Sequence, residues 1–151
     1  MSFEDEWKKE SEAVIKATQE TVKVTAISLF NGIILSSPVG NKSLWENPNS
    51  APPGYVGGRF RSNWFLSFGA PSSKTTDSTS EQSNRLNEVG EISKVKYSDT
   101  YTLTNNLPYA ERIENGWSTQ APAGVVAPNA SRVERQVPKF YKAALEKYGA
   151  E

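Results

Sequence analysis

A largely apolar series, Phe3, Trp7, Val14, Thr18, Val22, Thr25, Leu29 and Ile33, recurs at steps of three, four or seven residues. That spacing marks one face of a 3.6-residue period and predicts a helix over residues 3 to 35. Ser2 is placed to cap it, and Glu4, Asp5 and Glu6 suit the positive end of its dipole. At 1.5 Å per residue such a helix is about 45–50 Å long, more than a domain of this size covers from inside. Its first turns therefore either fray or pack on a neighbouring subunit. The β-branched run from Thr21 to Thr25 weakens the helix locally without moving the stripe out of phase. Ser36-Ser37-Pro38 ends it.

Residues 40 to 57 are rich in Asn, Pro and Gly and predict a long irregular loop. Leu44, Trp45 and Tyr55 inside it either plug the loop onto the body or touch a partner. Alternation from Arg59 to Phe68 predicts a strand with Phe60, Trp64, Leu66 and Phe68 on one face. Arg59, Arg61, Asn63, Phe65 and Ser67 then take the other, with the two arginines about 7 Å apart. They suit a solvated face, an inter-subunit contact or a phosphate contact, the subunit contact being favoured over DNA. Residues 69 to 83, Ser/Thr-rich with almost nothing apolar, predict a mobile loop or a segment that orders against a partner. Ser80 is placed to cap a helix from Glu81 to about Lys94, with Leu86, Val89 and Ile92 inward. A second strand follows, from Val95 or Lys96 to Asn105, and Val125-Val126 is positioned to pair as a third. A final helix spans about Asn129 to Tyr148 on a stripe of Val133, Val137, Phe140, Tyr141, Ala144, Leu145 and Tyr148. Pro138 is expected to kink or split it, at about 3 kcal/mol, and Gly149 to close it. Together these predict one α+β domain over residues 1–151. In it, a long N-terminal helix packs on a small, mostly antiparallel sheet with a short middle helix and a C-terminal helix.

Between the second strand and the last helix, residues 105 to 126 concentrate the special backbone residues. Pro108 forbids a continuing ladder, Tyr109 to Glu114 suits one or two helical turns, and Asn115-Gly116 stops them. Gln120 to Gly124 is a second Pro/Gly turn. Pro108, Tyr109, Gly116, Pro122 and Gly124 thus specify a shaped corner and not a linker.

The run Asn106-Leu-Pro-Tyr-Ala110, then Ile113-Glu114 and Gly116, then Gln120-Ala-Pro122 and Gly124, is preceded in order by Ser37-Pro-Val39 and by Gly58-Arg-Phe-Arg-Ser-Asn-Trp64. This ordered set resembles the signature of the neck and tail-completion (head–tail joining) proteins of tailed bacteriophages. It spans roughly residues 10 to 145, with 40–57 as an insertion and Phe60 where Leu is commoner. The resemblance implies a structural virion protein of the neck or tail terminus, made in the host cytoplasm and joining head to tail. It also implies a homo-oligomeric ring beside neck, connector or tail-tube proteins, near packaged DNA, without membrane, catalysis or cofactor.

Composition narrows the alternatives. Seventeen basic and seventeen acidic residues cancel, which argues against a DNA-wrapping role. With no cysteine and no histidine, thiolate chemistry, Cys-based zinc sites and the commonest general base are excluded. The N-terminus lacks a signal-peptide apolar core, and no apolar window is long enough to span a membrane. Gly54 to Gly58 has glycines but no following Lys, so it is a turn and not a phosphate loop. Glu111 and Glu114, three apart, could in principle flank a glycosidic bond, but beside Arg112 they suit a solvated surface. No enzyme is expected. Arg59, Arg61, Glu111 and Glu114 are candidate charged inter-subunit contacts, with Trp45 and Tyr55 as apolar ones. A nucleic-acid-binding module using Arg59, Arg61 and Trp64 is the alternative. A carbohydrate or peptide surface built from Trp45, Tyr55 and Trp117 is a third reading.

Overall fold

Ser2 opens the fold as its position predicts. In the computed structural model, which describes residues 2–150, its hydroxyl accepts from the Asp5 N–H at 3.2 Å while the Asp5 carboxylate accepts from the Ser2 N–H at 3.3 Å. This reciprocal capping box starts helix α1, Phe3–Ser36. The face that α1 buries overlaps the predicted one only in part: Ile33 is buried and Leu29 packs on the core. Ala17, Thr21, Ala26, Phe30, Ile33 and Ile34 are inside, whereas Phe3 is 80% and Trp7 66% exposed. Small residues line the side that another helix approaches: Ala17 and Thr21 are buried there, and Gly32 lies against it.

That other helix is α5, Val126–Tyr148, which runs antiparallel along α1. Asn129 Nδ2 donates to Ser36 Oγ at 2.8 Å, Arg132 Nη2 to the Ser28 carbonyl at 3.3 Å, and Lys147 Nζ to Glu20 Oε1 at 2.7 Å. The helix begins three residues earlier than expected, so Val125 is its N-cap, Val126 its first residue, and the pair forms no third strand. It also continues through Pro138 without splitting. Pro138 and Glu134 are both exposed, so the helix loses this one bond on its solvent side. Gly149 closes α5 with φ of 73°: the Ala150 N–H bonds the Leu145 carbonyl at 2.9 Å and the Gly149 N–H that of Glu146 at 3.3 Å.

Close approach of α1 and α5 depends on Gly32. A Cβ there would lie 2.3 Å from Asn129 Oδ1 and 2.4 Å from Arg132 Nη2. In an exposed helix interior Gly→Ala gains about 1 kcal/mol. Here Gly32→Ala should instead cost about 1–2 kcal/mol, because the buried Asn129 amide is fixed by its bonds to Ser36 and Val125. Urea denaturation decides the sign, and a rise in midpoint would contradict this packing.

The sheet has two strands among the described residues, β1 (Trp64–Ser67) and β2 (Thr102–Asn105). They pair antiparallel, with Trp64 opposite Asn105 and Leu66 opposite Leu103. Both are shorter than predicted. Arg59–Ser62, expected as strand, is one helical turn, α2; Gly58, with φ of 118°, turns the chain into it. The two arginines therefore do not share a sheet face. Between the strands, α3 (Gln82–Gly90) and a 3-10 turn over Glu91–Ser93 bury Val89 and Ile92, as the spacing predicts. Each contributes about 2 kcal/mol of apolar burial. Ser80 does not cap this helix; Glu81 holds that position with no side-chain bond, and the Glu81 N–H goes to Ser62 Oγ at 3.0 Å.

One core joins these parts. Ala26, Phe30, Ile33 and Ile34 of α1 meet Phe60, Trp64, Val89, Ile92, Leu107, Ala121 and Val125. The architecture is α+β, with the sheet, α3 and the corner gathered on the C-terminal half of α1. The Ser/Thr-rich segment 69–83 is tied to the chain itself. Asn63, fully buried, donates to the Arg59 and Thr76 carbonyls at 2.6 and 3.0 Å and accepts the Thr76 N–H at 2.9 Å. Asn106 Nδ2 holds the Ser72 and Lys74 carbonyls at 2.7 and 3.0 Å. Two amides thus supply the ordering that apolar residues do not.

Candidate functional site: the corner and its cleft

β2 ends at Asn105, whose Oδ1 accepts the Leu107 N–H at 3.2 Å; Pro108 follows, and Leu107 beside it is buried. The Ala110 N–H bonds the Leu107 carbonyl and begins α4, Ala110–Glu114. Gly116 ends α4 at φ of 89°. Its N–H reaches the Ile113 carbonyl, and the Trp117 N–H reaches that of Arg112, both at 3.1 Å. That pairing is a Schellman stop, and it places the Arg112 guanidinium 5.1 Å above the Trp117 ring. Close packing across the corner demands glycine twice. A Cβ on Gly116 would lie 2.5 Å from the Pro122 carbonyl oxygen, and one on Gly124 (φ 84°) 2.4 Å from that of Glu114.

Glu114 was expected at a subunit contact. The structure uses it internally: its carboxylate accepts the N–H groups of Val125 and Val126 at 2.8 Å and of Ala127 at 3.0 Å. These are orphan donors at the start of α5, whose dipole favours an anion. Burial of the carboxyl raises its pKa, but the three N–H donors together outweigh that and hold Glu114 below its ordinary value. Gln120 performs a second splice. Its Oε1 accepts from the Val39 N–H at 3.2 Å and its Nε2 donates to the Val39 carbonyl at 2.8 Å. The corner therefore holds together the end of α1 and the start of α5.

Arg61 is also turned inward. Nε and Nη2 donate to the Ser37 carbonyl at 3.1 and 2.7 Å, Nη2 to the Leu35 carbonyl at 3.0 Å, and Nη1 to Gln82 Oε1 at 2.7 Å. Burial lowers its pKa. The last turn of α1 holds no basic residue, so Arg61 supplies the cation that its negative end favours. Trp64 is buried and donates Nε1–H to Ser37 Oγ at 2.8 Å, which leaves no open ring face for a base. Arg59 points elsewhere. It bonds the Thr76 carbonyl at 3.2 Å and Asp77 at 3.1 Å, with its side chain 41% exposed. Glu111 is exposed on α4.

Beside the corner, the loop 40–57 leaves a cleft of about 1030 Å³. Two 3-10 turns, Lys42–Leu44 and Pro48–Ser50, give the loop more order than its composition predicts; Asn41 and Asn47 cap them. Its two ends meet where Gly57 rests on Gly40: a Gly57 Cβ would lie 1.9 Å from the Gly40 oxygen. Trp45 and Tyr55 pack edge to face, centroids 5.0 Å apart, on the loop wall. Tyr109, Trp117 and Arg59 also line the cleft. Partial burial raises the Tyr109 phenol pKa, with Arg59 pulling it down and Tyr55 up. The cleft thus gathers Trp45, Tyr55, Arg59 and Tyr109, whereas Arg61 and Glu114 support the walls from behind. The bonding roles of Asn63, Asn106, Gln120 and Asn129 were not anticipated, because an amide that ties distant backbone together carries no periodic signal, whether buried like Asn63 and Asn129 or exposed like Asn106 and Gln120.

Among the described residues there is no group of three His, Cys, Asp or Glu able to hold a metal ion, and no helix long and apolar enough to cross a membrane. No family model, curated protein or solved structure matches the chain.

Proposed function

We propose that this chain is a structural virion protein of a tailed phage, a homo-oligomeric ring component at the neck or tail terminus that joins head to tail. The observation that carries this reading is the N-terminal overhang of α1. Residues 2–10 are all exposed, lie beyond the reach of α5, and present Phe3 and Trp7 to solvent. Exposed aromatics on a rigid arm suit a subunit that is completed by its neighbours. The signature resembling head–tail joining proteins supports the same reading, since Pro108, Gly116, Pro122 and Gly124 all shape one packed corner. On this reading the partners are further copies and adjacent neck, connector or tail-tube proteins, and the chain needs neither catalysis nor cofactor. It is made in the host cytoplasm and ends in the virion.

Light scattering of the purified chain, followed by imaging of large species, tests it: closed rings of uniform size are expected. The nucleic-acid alternative makes an opposite demand. With Trp64 buried and Arg61 committed to carbonyls, the chain is expected to pass through a DNA column at low salt. Retention there by a chain that forms no rings would replace this reading with the binding module.

A further inference from the structure

Two surfaces of this molecule lack a counterpart, and they sit at opposite ends of α1. One is the overhang, where Phe3 and Trp7 lie one helical turn apart and are 80% and 66% exposed. The other is the cleft next to Pro38 and Gly40 at the far end. We propose that residues 2–12 of one copy dock in the cleft of a second copy, with Phe3 and Trp7 as the anchors. This rests on the reading of the chain as a ring subunit and specifies the contact.

Size, chemistry and charge match. A cleft of about 1030 Å³ has room for two aromatic side chains, and pockets that bury compact apolar groups run to about 1,000 Å³. Its walls offer Trp45, Tyr55, Tyr109 and Trp117, suited to edge-to-face contact with incoming rings. Residues 2–12 carry five acidic and two basic side chains. The cleft adjoins Lys42 and has Arg112 over Trp117, against Glu46, while Arg59 in its lining is already paired with Asp77. Opposite charge at the rim favours docking and orients it.

Geometry forbids the contact within one chain. Along a 34-residue helix the overhang and the cleft are separated by about 50 Å of rigid rod. The docking is therefore between copies, and each copy gives an arm and receives one. Such a head-to-tail contact closes into a ring or runs on as a filament.

The chain has no cysteine, so disulfide trapping in the full-length protein reads the contact directly. Glu6→Cys lies between the two anchors, Thr119→Cys lines the cleft, and Glu134→Cys on the exposed face of α5 is the control. Mixed under oxidising conditions, the Glu6→Cys and Thr119→Cys chains should link at least tenfold more than Glu6→Cys with Glu134→Cys. Linkage no better than the control overturns the proposal, as does dominant self-linkage of Glu6→Cys, which would mean that arms pair side by side. Trp7→Ala should weaken self-association about thirtyfold, as for a central aromatic anchor, while the melting temperature stays unchanged; undiminished association overturns it. Uniform rings without the Glu6–Thr119 link would sink this contact and spare the ring reading. Open filaments that carry the link would do the reverse.

Discussion

Arg61→Met should destabilise the protein by about 3 kcal/mol, roughly 10 °C in melting temperature for a chain of this length. Met keeps the aliphatic stem but removes every donor, so the Ser37 carbonyl loses two bonds and Leu35 and Gln82 one each. Ser37 is 1% exposed, and water cannot replace what is lost. Leaving a buried acceptor unsatisfied costs about 1–3 kcal/mol, and loss of the cation at the C-terminal end of α1 adds a fraction more. Arg61→Lys should recover only part, because an ammonium cannot fork onto two carbonyls from one position. Chemical denaturation of the three proteins measures this directly. A Met variant within 0.5 kcal/mol of the parent would remove Arg61 from the supports of the fold.

Glu114→Gln should cost about 2 kcal/mol at neutral pH, near the top of the range for a lost helix cap, since three N–H donors share the carboxylate. The cost should depend on pH. Glu114 has its pKa below the ordinary value in the folded state, so its contribution is complete above the unfolded value, about 4.5, and is lost as pH falls through the folded one. The gap between parent and Glu114→Gln should therefore be constant from pH 7 to about 5 and close at lower pH. A gap that is flat down to acid unfolding would mean that shape, and not charge, makes the cap.

Much of the fold was legible because it follows from local rules. The Ser2 cap, the long first helix, the inward Val89 and Ile92, the Asn115-Gly116 stop and the Gly149 closure all depend on neighbours in sequence. What was misread depends on partners far away. Alternation over Arg59–Phe68 looked like a strand, but Phe60 and Trp64 are also four apart, and a helical turn brings both to the core with their rings 5.6 Å from each other. The α1 stripe was right at Leu29 and Ile33 and wrong at Phe3 and Trp7, because large side chains dominate a periodicity whereas the α5 contact selects small ones. In the candidate site, the corner glycines and prolines were visible as backbone demands. Glu114 and Arg61 were recognised as significant charges but assigned outward, because no sequence pattern records that a carboxylate will meet a helix start eleven residues on.

Pairing of α1 with α5 has a consequence during synthesis. The Glu20–Lys147 bond spans 127 positions, so the first helix to leave the ribosome must wait for the last. At about 5–20 residues per second, the stretch between the end of α1 and the start of α5 takes roughly 5–20 s to emerge. For that interval the side of α1 that meets α5, from Glu20 to Gly32, has no helix to cover it. The small residues Ala17, Thr21 and Gly32 along that waiting face limit what a stray neighbour can grip. The spacing that makes the finished pair tight also keeps its first half weakly adhesive until the second arrives.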